Sequence, residues 1–292
     1  MLKLRGVLLL TAIIVMAFAA TASADDFDKY RTKFDQHIPM PDAGTNWVPQ
    51  GLTYWKAKDA LVISYYYHDP ANENFTPYSQ IWVVKRKTGR QLSHFSLDDS
   101  SHVGGLAMTK KYLLVAASDA KDGYNVHGYR ASRMLRPRVT SVGPQLKAVK
   151  RYKVPIKGSY MGTNTTGSQL WIGDFDANKV QRYKFAAGGQ SIVAASRVYD
   201  TPDHVQGVAI RHGRIFYSTS WGNDKPSTML AGPVDATSGL GTLTAPNMSE
   251  GITFAHGRVY FVYESSANYY TAQENTFVTR TIDSGALSGL GY

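Results

Sequence analysis

The chain has 292 residues, no cysteine and a formal net charge of +10 at pH 7. The lack of cysteine excludes disulfide bonds and a lipid-modified cysteine, so the stability of the fold must come from its core. The basic residues form no stripe, and their longest runs are Lys85-Arg86-Lys87 and Lys150-Arg151. This distribution argues against a nucleic-acid partner and is compatible with a polar or anionic ligand.

The N-terminal residues 1–24 have the pattern of a secretory signal peptide. Lys3 and Arg5 precede an apolar stretch over residues 7–20, and the small residues Ala22-Ser23-Ala24 follow it. The stretch is shorter than the ~20 apolar residues that a membrane-spanning helix needs, so cleavage near Ala24 is favoured over anchoring. We therefore expect a secreted, extracellular protein that has no membrane association after cleavage.

A short motif recurs five times along the mature chain. Four copies contain a glycine, an aliphatic residue, a small residue and an apolar residue in that order, and the fifth copy keeps the glycine but follows this pattern only weakly. The copies are Gln50-Gly51-Leu52-Thr53-Tyr54, Gly104-Gly105-Leu106-Ala107-Met108, Gln206-Gly207-Val208-Ala209-Ile210, Glu250-Gly251-Ile252-Thr253-Phe254 and, more weakly, Met161-Gly162-Thr163-Asn164-Thr165. Their repeated glycines are 44 to 57 residues apart, close to the ~40–50 residues of one four-stranded propeller blade.

A β-rich segment follows each copy after a short polar turn. These segments are residues 61–67, 112–117, 169–173, 214–219 and 258–263. Their content of Val, Ile, Tyr and Phe predicts strands. Further strands are predicted at residues 80–86 and 92–97 in the first unit and at 276–282 in the last unit.

The last unit lacks a fourth strand, whereas residues 34–41 lie upstream of the first unit with no blade to join. We therefore predict an all-β five-bladed β-propeller whose N-terminal strand closes the last blade, because closure removes exposed sheet edges. The blades are expected near 48–99, 103–155, 159–201, 204–247 and 249–288 plus 33–42, within a single domain over 25–292. We expect a monomer. A β-sandwich is the competing architecture, but it does not require five copies of one motif.

In this pattern of a glycine-led motif followed by a strand, the chain resembles secreted bacterial five-bladed β-propeller proteins of the lactonase-like and quinoprotein-like superfamily. The resemblance covers nearly the whole mature chain, although the motif that carries it is short and structural. Such propellers bind sugars, hydrolyse esters, lactones or glycosides, or serve as interaction platforms. The resemblance therefore implies a fold and leaves the activity open.

Blade topology predicts which loops meet. In a four-stranded meander, the loop before the first strand and the loop after the second strand open on the same face and surround the mouth of the channel. The predicted ligand-binding residues in these loops are Gln50, His102, Gln206, Trp221 and Glu264. Their amide, imidazole, aromatic and carboxyl groups together suit a polar ligand.

The candidate catalytic residues are Glu250, Asp174 and His204. Glu250 is a lone carboxylate directly before a motif glycine, where burial would raise its pKa toward that of a general acid. Paired with Asp174 or Glu264, it would provide the two carboxylates of glycoside hydrolysis, or oxygen ligands for Ca²⁺. His204 and His102 lie at equivalent positions in two units, where they would either ligate a metal with a carboxylate or bond to loop carbonyls.

The sequence contains no nucleophile elbow, phosphate-binding loop or dinucleotide-binding glycine pattern. Our first functional hypothesis is therefore a secreted propeller that binds a polar extracellular ligand, such as a saccharide or a cell-wall fragment, at the channel mouth. The alternative is a hydrolase or lyase that acts on a carbohydrate, a lactone or a phosphate ester, with or without a metal ion. At the level of sequence, both hypotheses stay open.

Overall fold

Antiparallel β-sheet makes up most of the structure. The computed structural model describes residues 27–117, 123–135, 146–186, 191–234, 236, 238–273 and 277–291, and the predicted signal peptide lies outside them. Within these ranges, no helix has the length and apolar character needed to cross a membrane. The α-helices there are short, α1 (Asp28–Lys33) and α2 (Asn268–Thr271).

The strands of the described chain form five sheets of four strands each. The N-terminal strand β1 (Gln36–Pro39) precedes the first sheet, which contains β2 (Trp47–Trp55), β3 (Ala60–Tyr67), β4 (Gln80–Lys85) and β5 (Gln91–Ser96). The second sheet contains β6 (Gly105–Met108), β7 (Tyr112–Ala116), β8 (Val126–Arg130) and β9 (Lys150–Tyr152). The third contains β10 (Tyr160–Thr163), β11 (Gln169–Asp174), β12 (Lys179–Phe185) and β13 (Ile192–Asp200). The fourth contains β14 (Val205–Arg211), β15 (Arg214–Thr219), β16 (Ser227–Pro233) and β17 (Gly241–Ala245). The fifth contains β18 (Ser249–Ala255), β19 (Arg258–Tyr263), β20 (Thr281–Ala286) and β1.

The first strand of each motif unit lies innermost, and the five inner strands contact one another in a closed ring, from β2 through β6, β10, β14 and β18 back to β2. The motif glycines are the points of close approach. A Cβ at Gly162 would lie 1.8 Å from the carbonyl oxygen of Val208, and one at Gly105 would lie 2.0 Å from the backbone nitrogen of Met161. Because no side chain fits there, glycine allows adjacent blades to meet around the axis. The chain is a five-bladed β-propeller.

The N-terminal strand closes the ring. Strand β1 pairs antiparallel with β20, and Ile38 lies opposite Ile282, with both side chains buried. In α1, Tyr30 donates a hydrogen bond of 3.0 Å to Asp283 and shares another with the hydroxyl of Tyr263. The prediction that an N-terminal strand completes the last blade is confirmed.

The predicted strand at residues 276–282 is wrong in its position. The described residues 277–280 are irregular, and β20 covers Thr281–Ala286. Gly285 favoured a loop in the sequence, but a Cβ at this position would lie 2.6 Å from the carbonyl oxygen of Lys33. The glycine therefore lies inside the strand because the N-terminal segment packs against it.

Apolar side chains from neighbouring blades fill the spaces between them. Between the first and second blades, Val62 and Phe95 belong to one buried cluster with Leu106 and Val115. Burying one apolar side chain of this size stabilises the folded state by about 1.5–3 kcal/mol. Packing of this kind fixes each inner strand against the next and therefore fixes the loops at the two ends of the channel.

Candidate functional site

The inner strands place two sets of loops at one end of the channel. Val205 at the start of β14 pairs with Thr219 at the end of β15, and Ser249 pairs with Tyr263 in the same way. The residues before the motif glycines and those after the second strands therefore share one end, as the topology predicts. We call this end the carboxyl mouth, because Glu250 and Glu264 lie there.

Three inner strands carry a β-bulge at the same position, where the register shifts by one residue. The bulges contain Gln50, Gln206 and Glu250, each directly before a motif glycine. A bulge changes the direction of a side chain and is common next to active sites. In the first blade, the N–H of Gly51 donates to the hydroxyl of Ser64 at 2.9 Å. One backbone feature thus sets two amides and one carboxyl at equivalent points around the axis.

Glu250 is the more deeply buried of the two carboxyl groups at the mouth. Its side chain is 1% exposed, and its Oε1 has no hydrogen-bond partner among the described residues. Burial raises the pKa of Glu250 well above its ordinary value, and the neighbouring Glu264 carboxyl raises it further. Burial of an ionised carboxylate is unfavourable, so this environment favours the protonated form of Glu250.

Glu264 is the second carboxyl group of the mouth. It begins a single 3₁₀ turn directly after β19, and its N–H donates to the carbonyl of Met248 at 3.0 Å. Its Oε1 accepts hydrogen bonds from the amide of Gln50 and from the hydroxyl of Tyr66, the latter at 3.3 Å. Burial raises the pKa of Glu264 to about 7, although nearby His102 and these hydrogen bonds act to lower it. Glu264 therefore gains and loses a proton near neutral pH.

Tyrosine and histidine rings surround Glu264. The hydroxyls of Tyr66 and Tyr270 are 3.4 Å apart, and the rings of Tyr66 and His102 have centroids 4.2 Å apart. His68 and Tyr269 form a further edge-to-face pair at 4.2 Å. Tyr66, His68, Tyr269 and Tyr270 are partly exposed and His102 is exposed, so aromatic and imidazole groups lie at the opening beside Glu264.

His204 and Trp221 form a separate aromatic group on the fourth blade. Their ring centroids are 4.0 Å apart, and the Phe175 ring lies 5.9 Å from His204. Trp221 is 40% exposed and offers an open aromatic face. His204 has a φ of +59°, in the left-handed region that residues other than glycine seldom adopt. The structure thus brings together Gln50, His102, Glu250 and Glu264, and it places His204 with Trp221, while Gln206 lies in the bulge of the fourth blade.

Asp174 organises a turn. Its Oδ1 accepts the N–H groups of Asp176 and Ala177, both at 3.1 Å, which is the bonding of an Asx turn. The carboxyl group that raises the pKa of Glu250 is Glu264. Of the two pairings that the sequence left open, the structure therefore favours Glu250 with Glu264.

The metal hypothesis gains no geometric support from the described ranges. There, no group of three or more His, Cys, Asp or Glu side chains is placed to hold a metal ion. His102 lies beside Tyr66 and near the single carboxylate of Glu264, and His204 lies beside Trp221.

Two further residues of the site, Tyr66 and Tyr270, come from the tyrosine-rich segments 65–67 and 269–270 of the sequence. In β3, Tyr65 is fully buried and its hydroxyl donates to the carbonyl of Pro41 at 2.8 Å, whereas Tyr66 donates to Glu264. Adjacent strand residues point to opposite faces, so only one of the two tyrosines can reach the mouth. The sequence signal that could have placed Tyr66 at the mouth is this alternation of side-chain direction at the end of β3, the second strand of the first blade.

Comparison with known proteins bears on the fold. A glutaminyl cyclase from Myxococcus xanthus has a TM-score of 0.52 and 11% sequence identity, covering 79% of this chain and 90% of that chain. The two chains share the propeller fold. A luciferin-regenerating enzyme has a TM-score of 0.43 and 11% identity over 86% of this chain and 93% of that chain. A chain of a nidogen–laminin complex has a TM-score of 0.44 and 9% identity, covering 75% and 73%. No family model and no curated protein matches the sequence.

Proposed function

We propose that this chain is a secreted hydrolase that cleaves a neutral glycoside at the carboxyl mouth. The observation that carries the proposal is the pair of buried carboxyl groups, Glu250 and Glu264, whose pKa values are both raised by burial. Burying two such groups side by side opposes folding, and strongly perturbed carboxyl groups cluster at functional sites. A pair in which one member is protonated and the other titrates near neutrality provides an acid and a base together.

The two carboxyl groups take complementary roles in hydrolysis. Glu250 gives its proton to the glycosidic oxygen as the bond from that oxygen to the anomeric carbon breaks. A water molecule adds to the same carbon, and ionised Glu264 accepts a proton from it. The proton then passes from Glu264 to Glu250 through solvent, which restores the starting state. Gln50 and Tyr66 donate to Glu264 and favour its ionised form.

The charge and shape of the mouth favour a sugar over a phosphate ester. An ionised Glu264 repels a phosphate dianion, whereas it hydrogen-bonds to the hydroxyl groups of a neutral sugar. The exposed indole of Trp221 and the rings around Glu264 offer flat apolar faces of the kind on which sugar rings stack. The signal-peptide pattern at the N-terminus points to a substrate outside the cell.

Ligand binding without turnover is the second candidate, because Trp221 is exposed to solvent while Glu250 is buried. A protein that only binds saccharides would use Trp221 and His204 and would not need the carboxyl pair. The two candidates therefore predict different consequences for a change at Glu250.

The test is hydrolysis of a panel of 4-methylumbelliferyl glycosides and polysaccharide fragments by the mature protein. We expect Glu250→Gln and Glu264→Gln each to lower kcat by about 10²–10⁴-fold with little change in KM. The pH profile of wild-type kcat/KM, which reports the free enzyme, should contain a limb near pH 7, the pKa to which burial raises Glu264, and that limb should be absent in Glu264→Gln.

The matched control is Glu73→Gln, a change of the same chemistry at an exposed position. It should leave kcat unchanged. If wild type cleaves nothing in the panel but binds a saccharide by calorimetry, and Glu250→Gln binds it equally well, the hydrolase proposal is rejected in favour of the binding function. If Glu250→Gln retains full turnover, the assigned acid is wrong.

A further inference from the structure

A cavity of about 550 Å³ lies at the end of the channel opposite the carboxyl mouth. It is bounded by the last residues of the inner strands and the turns after them, such as Trp55, Met108 and Thr163. The inner strands begin at the carboxyl mouth and end here, so the cavity and the carboxyl pair are at opposite ends of the same five strands.

One departure from the repeat lies at this cavity. The last position of the motif holds a large residue in four blades, namely Tyr54, Met108, Ile210 and Phe254, and all four line the cavity. In the third blade, Thr165 occupies this position, and it also lines the cavity. The weak third copy of the motif is therefore the place where a large side chain is replaced by a small polar one.

The walls of the cavity combine an apolar floor with hydroxyl and cationic groups. Trp55, Ile210 and Phe254 are each less than 10% exposed, so they line it without projecting into solvent. The polar lining residues are Thr109, Thr163, Asn164, Thr165, Thr166 and Thr253. Lys56 and Lys110 complete the rim, and none of the described residues that line the cavity is acidic.

The rim lysines have no carboxylate partner of their own among the described residues. The acidic residue next to this region, Asp59, is held by the guanidinium of Arg86 through two bonds of 2.6 and 3.2 Å. Its remaining contacts include the Tyr54 hydroxyl at 3.0 Å and His256. Positive charge at the rim is thus left for a ligand to balance.

The polar wall is held in place before any ligand arrives. The side-chain oxygen of Asn164 accepts the N–H groups of Ser168 and Gln169 at 3.0 and 3.2 Å, and the backbone of Asn164 forms a β-bridge with Ile210 of the next blade. Pre-organised walls reduce the entropy lost on binding.

We propose that this cavity binds a small organic anion, in which one carboxylate, sulfate or phosphate group is carried on an apolar ring. The anionic group lies at Lys56 and Lys110 with the threonine hydroxyls as donors, and the ring lies against Trp55, Ile210 and Phe254. The inference does not rest on the glycosidase proposal, since it concerns the other end of the channel and residues outside the carboxyl pair.

The test uses phenyl phosphate as the probe, with calorimetry for affinity and NMR chemical shifts for location. Phenyl phosphate should bind wild type, whereas phenyltrimethylammonium, which has a ring and the opposite charge, should not. The double variant Lys56→Ala/Lys110→Ala should weaken phenyl phosphate binding about tenfold or more, which corresponds to ~1.4 kcal/mol. The control pair Lys87→Ala/Lys184→Ala changes two exposed lysines outside the cavity and should leave affinity unchanged.

A cavity-filling variant provides an independent test. Thr165→Phe restores a large apolar side chain at an exposed motif position, so the propeller should fold while phenyl phosphate binding is lost. Glu250→Gln should bind the probe as wild type does, whatever the outcome for glycoside cleavage. Three outcomes would overturn the proposal: no detectable binding at millimolar probe, equal binding of the cationic probe, or wild-type affinity in Thr165→Phe.

Discussion

Gln50 of the first blade donates a hydrogen bond to the carboxylate of Glu264 in the fifth blade, across the junction where the ring closes. The site is therefore built from residues more than 200 positions apart, and its geometry depends on the closure of the propeller. Ring closure and the chemistry of the carboxyl mouth are consequently linked in the same structure.

The carboxyl pair should make folding stability fall as pH rises. Burial raises the pKa of Glu264 from 4.5 to about 7, so between these values the folded state holds more protons than the unfolded state. Stability from this group is then fully present below about pH 4.5 and is lost as pH rises to 7, by about 3 kcal/mol. The raised pKa of Glu250 acts in the same direction.

Urea denaturation at pH 4.5, 6 and 8 measures this slope. We expect Glu250→Gln and Glu264→Gln each to stabilise the protein at pH 8 relative to wild type and to flatten the decline between pH 4.5 and 8. The exposed variant Glu73→Gln should retain the wild-type slope. An unchanged slope in both carboxyl variants would show that these carboxyl groups ionise normally.

The closing strand should contribute measurably to stability. Ile38 of β1 is 4% exposed and faces Ile282, so Ile38→Ala removes buried apolar contact and should cost about 2–5 kcal/mol. Gln36 lies on the same strand with an exposed side chain, and Gln36→Ala should cost less than about 0.5 kcal/mol. Equal urea midpoints for the two variants would mean that β1 is not needed to hold the ring closed.

A motif glycine should be irreplaceable where two blades meet. A Cβ at Gly162 would lie 1.8 Å from the carbonyl of Val208, which is backbone and cannot rotate away. Gly162→Ala should therefore displace the third blade from the fourth and lower the free energy of unfolding by about 3 kcal/mol or more. Gly289→Ala is the control, since a Cβ there meets no atom within 4 Å. The melting temperatures of the two variants, compared with that of wild type, test this prediction.

The fold could be predicted because each blade must bury its faces against its neighbours, and this requirement repeats in the sequence. Gly51, Gly105, Gly207 and Gly251 mark the inner strands by their spacing, and the missing fourth strand of the last unit pointed to the N-terminal segment. The position of β20 could not be predicted, because the reason for Gly285 inside a strand is the carbonyl of Lys33, which is remote in sequence.

The site could be predicted only as a set of loops at one face. Strand parity brings Glu250, Glu264 and Asp174 to the same end of their blades, and it does not say which of them meet. The pairing of Glu250 with Glu264 depends on a bulge in β18 and on the 3₁₀ turn after β19, whose side-chain directions are set by local backbone geometry. The cavity beside Thr165 could not be predicted either, because a weak copy of a motif cannot be told from random divergence of the sequence.

The Arg86–Asp59 pair should be a second interaction that holds the first blade against the fifth. The side chain of Arg86 is 6% exposed, its guanidinium makes two bonds to Asp59, and its Nη1 donates to the hydroxyl of Tyr260 in β19 at 3.0 Å. Arg86→Lys keeps the charge but cannot form this fork, and it leaves the Tyr260 hydroxyl buried without its donor. We expect a loss of about 1–3 kcal/mol in urea denaturation at pH 7.

The pH dependence distinguishes this pair from a simple packing contact. The Arg86 guanidinium holds the pKa of Asp59 at about 2, below its ordinary 3.8, so its contribution is present above about pH 4 and is lost as pH falls to 2. The difference in stability between wild type and Arg86→Lys should therefore shrink on acidification, while Arg90→Lys, at an exposed position, should match wild type throughout. A difference that stays constant down to pH 2 would assign the effect to packing of the arginine stem, because a contact between methylene groups does not respond to the ionisation of Asp59.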